Sequence, residues 1–312
     1  MDTWWLYRGT GIPLDPVERD RRWPAPPPWR SYAGHPPDEP TAPARDDTAA
    51  RVLGPPGTPR TPDPEEVARV NTALRLRRPL LVGGDPGVGK SALAHRIARE
   101  LGLGPVLRWP VTGGSTLVEG LYTETAPGTV RLGPLGTALL PRRLPRVVLV
   151  DDLDRGGFDL PDELLAVLDD GEFTVPGLLG SGSATVHTCE PGGTAALRDG
   201  LVRCRELPVV VATTGGEREL PPAFLRACVR LELPPLTREG LAELARSRFP
   251  AVDEDVLDPL LDRAGREPAS PRQLLDALHL VATGALAAIR ERDGEGSAAL
   301  DTLWSWAAME GS

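Results

Sequence analysis

The chain has 312 residues, enough for one large domain and a small one. Its net charge of −9 argues against nucleic acid as the main partner, and no apolar run approaches the roughly 18 residues of a membrane span. Three cysteines (Cys189, Cys204, Cys228) without zinc-like spacing, and no signal-peptide pattern, are expected of reduced thiols in a cytoplasmic protein. The four histidines lie far apart in sequence and form no metal or triad pattern.

In chain order, residues 1–62 come first. Thirteen of the first sixty residues are proline, too many for central strands or long helices. The same stretch holds four of the seven tryptophans, Trp4, Trp5, Trp23 and Trp29. This composition predicts a largely irregular arm that lays Trp4, Trp5 and Tyr7 on the chain's own core or on a partner. The tetrapeptide Arg8–Gly11 is too short to carry meaning alone. Asp63 reads as a helix N-cap, with Pro64 at N1 and Glu66 completing a capping box. Val67, Val70 and Leu74 share one face of that helix.

An apolar strand, Pro79 to Val82, then leads into G-x-x-x-x-G-K-S, with an amphipathic helix pattern after it. The loop and the turn that follows comprise Gly84, Asp85, Pro86, Gly87, Val88, Gly89, Lys90, Ser91 and Ala92. Its glycines let backbone N–H groups curl around phosphate oxygens, and the following helix points its positive end at them. Lys90 would reach the β- and γ-phosphates of ATP; the Ser91 hydroxyl would ligate Mg2+. Lys90 is the only lysine in the chain, a compact point charge retained among arginines.

Gly102 reads as a C-cap and Pro105 to Val111 as a second strand. Gly120 to Leu140 has the turn chemistry of a hairpin or loop insert. Val147 to Val150 is a buried parallel strand that ends in acids. Asp151 would hold the Mg2+ shell, and Asp152 would orient or deprotonate the attacking water. Pro161 to Asp170 reads as a helix, Glu172 to Leu207 as a hairpin region, and Pro208–Ala212 and Val229–Leu233 as further strands. Alternating strands and helices around a P-loop predict an α/β fold, a parallel sheet with helices on both faces. From Pro234 onward leucines recur at helical spacing, which predicts a small all-helical domain. The expected division is thus 1–62, 63–234 and 235–312.

The order of these motifs, followed by ELPPAFLRACVRLELPPL and a helical lid, resembles the AAA+ ATPases, in particular the MoxR-like group. The likeness covers roughly Pro64 to Arg292. WWLYRGTG and VLRWPVT resemble an actinobacterial conflict-system subgroup that works with von Willebrand A-domain partners. The resemblance implies a ring, a hexamer in that family, with ATP between neighbours and a partner or client protein to remodel. It also implies a sensor arginine at Arg272 in the lid.

Three positions depart from an efficient hydrolase of that group. The second carboxylate is Asp152 rather than glutamate, and a retraction of roughly 1 Å can cost on the order of 100-fold. The asparagine expected to hold the attacking water falls at Gly215; Thr213 or Thr214 would substitute with a hydroxyl. The arginine finger falls at Ala227, flanked by Arg226 and Arg230. These departures predict ATP binding with slow hydrolysis. The other reading they leave open is a nucleotide-gated scaffold.

Overall fold

The computed structural model describes residues 5–32, 34, 47–57, 59–126, 129–266 and 271–283. It divides into two compact units, Met1–Gly83 with Lys90–Leu233, and Gly84–Gly89 with Pro234–Ser312.

The proline-rich start holds short helical pieces. It forms α1 (Pro16–Arg22), a single 3-10 turn at Pro28–Arg30, and α2 (Asp47–Leu53). The prolines permit these short pieces because of where they sit. Pro16 occupies the first turn of α1, where its missing N–H leaves nothing unsatisfied, and Asp15 caps that turn by accepting from Val17 and Glu18. Trp4 lies outside the described residues. Leu6 and Tyr7 are buried in the first unit, so this segment docks on the chain's own core.

The dock is polar as well as apolar. It is built on α3 (Pro64–Leu76), whose Asp63 cap accepts from Glu65 and Glu66 N–H. The Asn71 side chain accepts from the Leu6 and Tyr7 amides at 2.7 and 3.0 Å and donates to the Tyr7 carbonyl. Glu66 does not reach back to complete the expected capping box. Its carboxylate is fully buried and accepts instead from the Tyr7 hydroxyl at 2.7 Å, from Arg60 and from Arg96. Burial alone would raise the Glu66 carboxyl; the two guanidiniums outweigh it and hold the group below its ordinary range. The buried Glu100 carboxylate accepts from the Arg8, Gly9 and Gly11 amides, so the short Arg8–Gly11 turn wraps an acid. We expect Tyr7→Phe to lower stability by about 1.5 kcal/mol, read as a shifted urea midpoint at unchanged slope. An unshifted midpoint would mean that the Tyr7 hydroxyl bond to Glu66 contributes nothing to stability.

Next come β1 (Leu80–Gly83), α4 (Lys90–Leu101), β2 (Leu107–Pro110) and α5 (Leu117–Leu121). The hairpin β3 (Tyr122–Ala126) and β4 (Thr129–Leu132) leads through α6 (Pro134–Ala138) to β5 (Val147–Asp151) and α7 (Leu160–Asp170). After them run β6 (Glu172–Thr174), β7 (Ser183–His187), β8 (Thr194–Arg198) and β9 (Leu201–Arg203). The unit closes with β10 (Val209–Thr213), α8 (Pro222–Ala227) and β11 (Val229–Glu232).

The main sheet is parallel throughout, in the order β11-β1-β10-β5-β2, with helices on both faces. This is the α/β fold with a parallel sheet that the alternation of strands and helices predicts. Every residue of β5 is buried, as its continuous apolar run predicts. The long crossovers place β10 between the strand that enters the glycine loop and the strand that ends in acids. The two regions read as separate hairpins instead join in one second sheet, β3-β4-β7-β8-β9-β6. The rings of Tyr122 and Phe173, on its two edge strands, stack with centroids 6.3 Å apart, so this sheet curls back on itself. Hydrophobic alternation marks each strand, but it carries no record of which distant edges meet.

The second unit packs α9 (Arg238–Arg248), α10 (Glu254–Arg266) and α11 (Pro271–Ala282) around Leu241, Leu257, Leu260, Leu261, Leu274 and Leu278. These are leucines that the helical spacing singles out; Leu244 and Leu275 are only half-buried. Residues 267–270 and 284–312 lie outside the described residues. Among the described residues no helix is long and apolar enough to cross a membrane.

Candidate nucleotide site

The glycine loop runs from β1 to α4. Gly84, Gly87 and Gly89 have φ of 126°, 80° and 104°, backbone angles that strain any residue with a Cβ. The Val88 amide donates to the Asp85 carbonyl at 3.3 Å, while Asp85, Pro86 and Gly87 are exposed. Lys90, Ser91 and Ala92 form the first turn of α4.

Three strands and α4 converge on Asp151, whose carboxylate is only 8% exposed. Ser91 Oγ donates to Asp151 Oδ1 at 2.6 Å, across 60 residues of sequence. Thr213 Oγ1, at the end of β10, donates to the same oxygen at 3.0 Å. Arg108 on β2 donates to Oδ2 from Nε at 2.9 Å and from Nη2 at 2.7 Å. Burial would raise the Asp151 carboxyl; the donors Ser91, Arg108 and Thr213 together overcome it and hold the group below its ordinary value.

Asp152 differs in every respect. Its side chain is 42% exposed, and its backbone sits in the left-handed region at φ 59° and ψ 53°. Aspartate is among the few residues that tolerate this conformation. The Asp152 amide donates to Thr213 Oγ1 at 2.8 Å, which fixes the turn. Partial burial, and next the neighbouring Asp151 charge, push its carboxyl upward, with Arg155 opposing. Two adjacent acids are thus driven apart, one held ionised and one more ready to take a proton.

The structure brings Thr213, rather than Thr214, to the acids. The Thr214 amide donates to the Val82 carbonyl, and its hydroxyl accepts from the Gly216 amide in the following turn. Sequence reasoning also missed Arg108 and Asp154. Asp154 is 2% exposed and accepts from the Gly215 and Glu217 amides, tying the loop after β10 to the turn after β5. Register could have found Thr213: Ala212 pairs with Val150, so the next residue faces Asp151. Arg226 on α8 and Arg230 on β11 are exposed, and neither bonds to Asp151 or Asp152. Arg272 is exposed in the first turn of α11.

Ser91 Oγ and Asp151 Oδ1 offer adjacent oxygen donors, the chemistry that suits Mg2+. Among the described residues no three His, Cys, Asp or Glu side chains cluster as a metal cage. That also fits Mg2+, which is usually held by one or two protein oxygens together with substrate phosphates.

No family model matches the chain. The Holliday junction branch migration complex subunit RuvB of Anaeromyxobacter sp. (strain K) is 30% identical over 177 residues, 54% of this chain and 46% of that protein. The same subunit from Anaeromyxobacter sp. (strain Fw109-5) is 31% identical over 106 residues, 33% of this chain and 25% of that protein. The chain thus spans about half the length of the first of these relatives. Among solved structures, NtrX from Brucella abortus superposes with a TM-score of 0.47 at 16% identity, covering 76% of this chain and 54% of that one. NtrX in complex with ATP gives a TM-score of 0.43 at 16% identity, over 70% and 50% of the two chains.

Proposed function

We propose that this chain, with its AAA+ ATPase-like fold, binds ATP with Mg2+ and hydrolyses it slowly to remodel or activate a partner protein. The observation that carries the reading is the 2.6 Å bond between Ser91, one residue past the only lysine, and Asp151 at the end of a buried parallel strand. A glycine loop, a lysine, a hydroxyl and a strand-end acid in that arrangement form a phosphate-and-metal site.

Residues Gly84 to Gly89 cradle phosphate oxygens with their amides. Lys90 balances the charge of the β- and γ-phosphates. Ser91 and Asp151 hold the metal, directly or through its waters. The ion, when bound, neutralises charge on the transferred phosphoryl group. Asp152 orients the attacking water and takes its proton, and Thr213 holds both acids in register. Arg226 or Arg230 of a neighbouring subunit is the candidate finger, Arg272 is the sensor that the resemblance favours, and Thr214 is a further polar residue after β10.

The sequence resemblance supports a MoxR-type machine, with a core at 63–234, a helical lid domain at 235–312, and subunits assembling into a hexameric ring. RuvB is named as a subunit of a complex, which is consistent with self-association. A protein with a von Willebrand A domain is the partner that the resemblance favours. The departures at Asp152, Gly215 and Ala227 favour a second reading, a nucleotide-gated scaffold in which ATP orders the assembly and turnover is dispensable.

Phosphate release at saturating Mg·ATP separates the two. For the enzyme, the wild type should exceed Asp151→Asn by roughly 100-fold, with catalysis lost along with metal positioning. Equal release from both proteins, with ATP still bound, would favour the scaffold.

A further inference from the structure

An ionised carboxylate offers about four acceptor positions. In Asp151 four protein donors fill them: Ser91 Oγ and Thr213 Oγ1 on Oδ1, and Arg108 Nε and Nη2 on Oδ2. No position is left for an ion, or for the hydrogen of a metal-bound water. One donor must therefore leave before the site can take Mg2+.

The three side chains differ in how readily they leave. Thr213 is wholly buried, and its oxygen already accepts the Asp152 amide, so its proton has Asp151 as its fixed target. Ser91 belongs to the first turn of α4 and can follow the metal as a ligand without leaving the site. Arg108 stands on β2, an edge strand of the main sheet, with a side chain 57% exposed. It can swing into water at little desolvation cost. It is also the one donor of the three that carries a positive charge, which a divalent ion beside the same oxygen would repel.

We propose that Arg108 is a metal-displaced gate: it closes Asp151 in the nucleotide-free chain and leaves when Mg2+ enters with nucleotide. The inference rests on the nucleotide-binding reading above. It gives the bidentate pair a role besides bracing Asp151. The gate sets how much Mg2+ the site needs, and it keeps the acid neutralised until a nucleotide arrives.

The test is binding rather than turnover. Anisotropy of a fluorescent ATP analogue is followed as Mg2+ is titrated into wild type, Arg108→Gln and Arg108→Lys. The gate predicts that the Mg2+ midpoint falls by roughly fivefold to tenfold in Arg108→Gln. In Arg108→Lys, which keeps the charge but loses the two-pronged fork, the midpoint falls by less. A purely bracing arginine predicts the opposite sign, because Asp151 would be misplaced and the midpoint would rise. A midpoint unchanged or raised, with analogue binding intact at high Mg2+, overturns the inference alone. Failure of the wild type to bind the analogue at any Mg2+ concentration overturns the nucleotide reading and the gate with it. If the glutamine variant does not fold, the lysine variant decides by the same sign.

Discussion

Lys90→Ala should weaken ATP binding by about 100-fold or more while leaving the fold intact. A charge-assisted contact to a phosphate contributes about 1.5–3 kcal/mol each, and an ammonium in this position would serve two phosphates. The chain has no second lysine to compensate. The side chain stands at the N-terminus of α4, where the helix dipole disfavours a cation. Its removal should therefore leave the nucleotide-free melting temperature unchanged or slightly raised. The rise that ATP produces in the wild type should vanish, since only a ligand that binds the folded state stabilises it. Thermal shift with and without Mg·ATP reads both numbers. A variant that melts lower without nucleotide yet keeps the shift would place Lys90 in the fold rather than in the site.

The second large effect runs the other way. Restoring Asp152→Glu, Gly215→Asn and Ala227→Arg together should raise the phosphate-release rate by on the order of 100-fold or more. The backbone accepts two of the three readily. Gly215 lies outside the left-handed region, and a Cβ there meets nothing nearer than 3.9 Å, so asparagine fits while the Gly215 amide keeps its bond to Asp154. Ala227 ends α8 at a half-buried position from which a long side chain can reach solvent. Asp152 resists: its left-handed backbone tolerates aspartate better than glutamate, at a cost of about 1 kcal/mol. The same strain gives a physical reason for the shorter acid in this chain. The triple variant should therefore be somewhat less stable and considerably faster. Unchanged turnover would mean that these positions do not hold those roles.

Much of this site could be read from sequence because its signals are local. The loop glycines, Lys90, Ser91 and the apolar run ending in Asp151 occupy short windows with their own chemistry. The leucines of α9 to α11 repeat at a helical period, and their burial follows. What escaped depends on register and on distance. Thr213 and Thr214 are neighbours in sequence, and only the pairing of β10 with β5 decides which of them meets the acids. Arg108 lies 43 residues before Asp151 in a strand of ordinary pattern, so nothing near it announces a carboxylate. Glu66 looked like a capping residue because its spacing from Asp63 was right. It was claimed by Tyr7, Arg60 and Arg96, two of which come from distant segments. Helix α1 was hidden by composition, since counting prolines ignores the one helical position that suits Pro16.

Every role proposed for these residues requires the loop before α4 to hold a nucleoside triphosphate. Calorimetric titration of Mg·ATP into the wild-type chain tests it most directly. Saturable binding is expected, competed by ADP and weakened about 100-fold by Lys90→Ala. The absence of any saturable binding by a folded wild-type chain would contradict it.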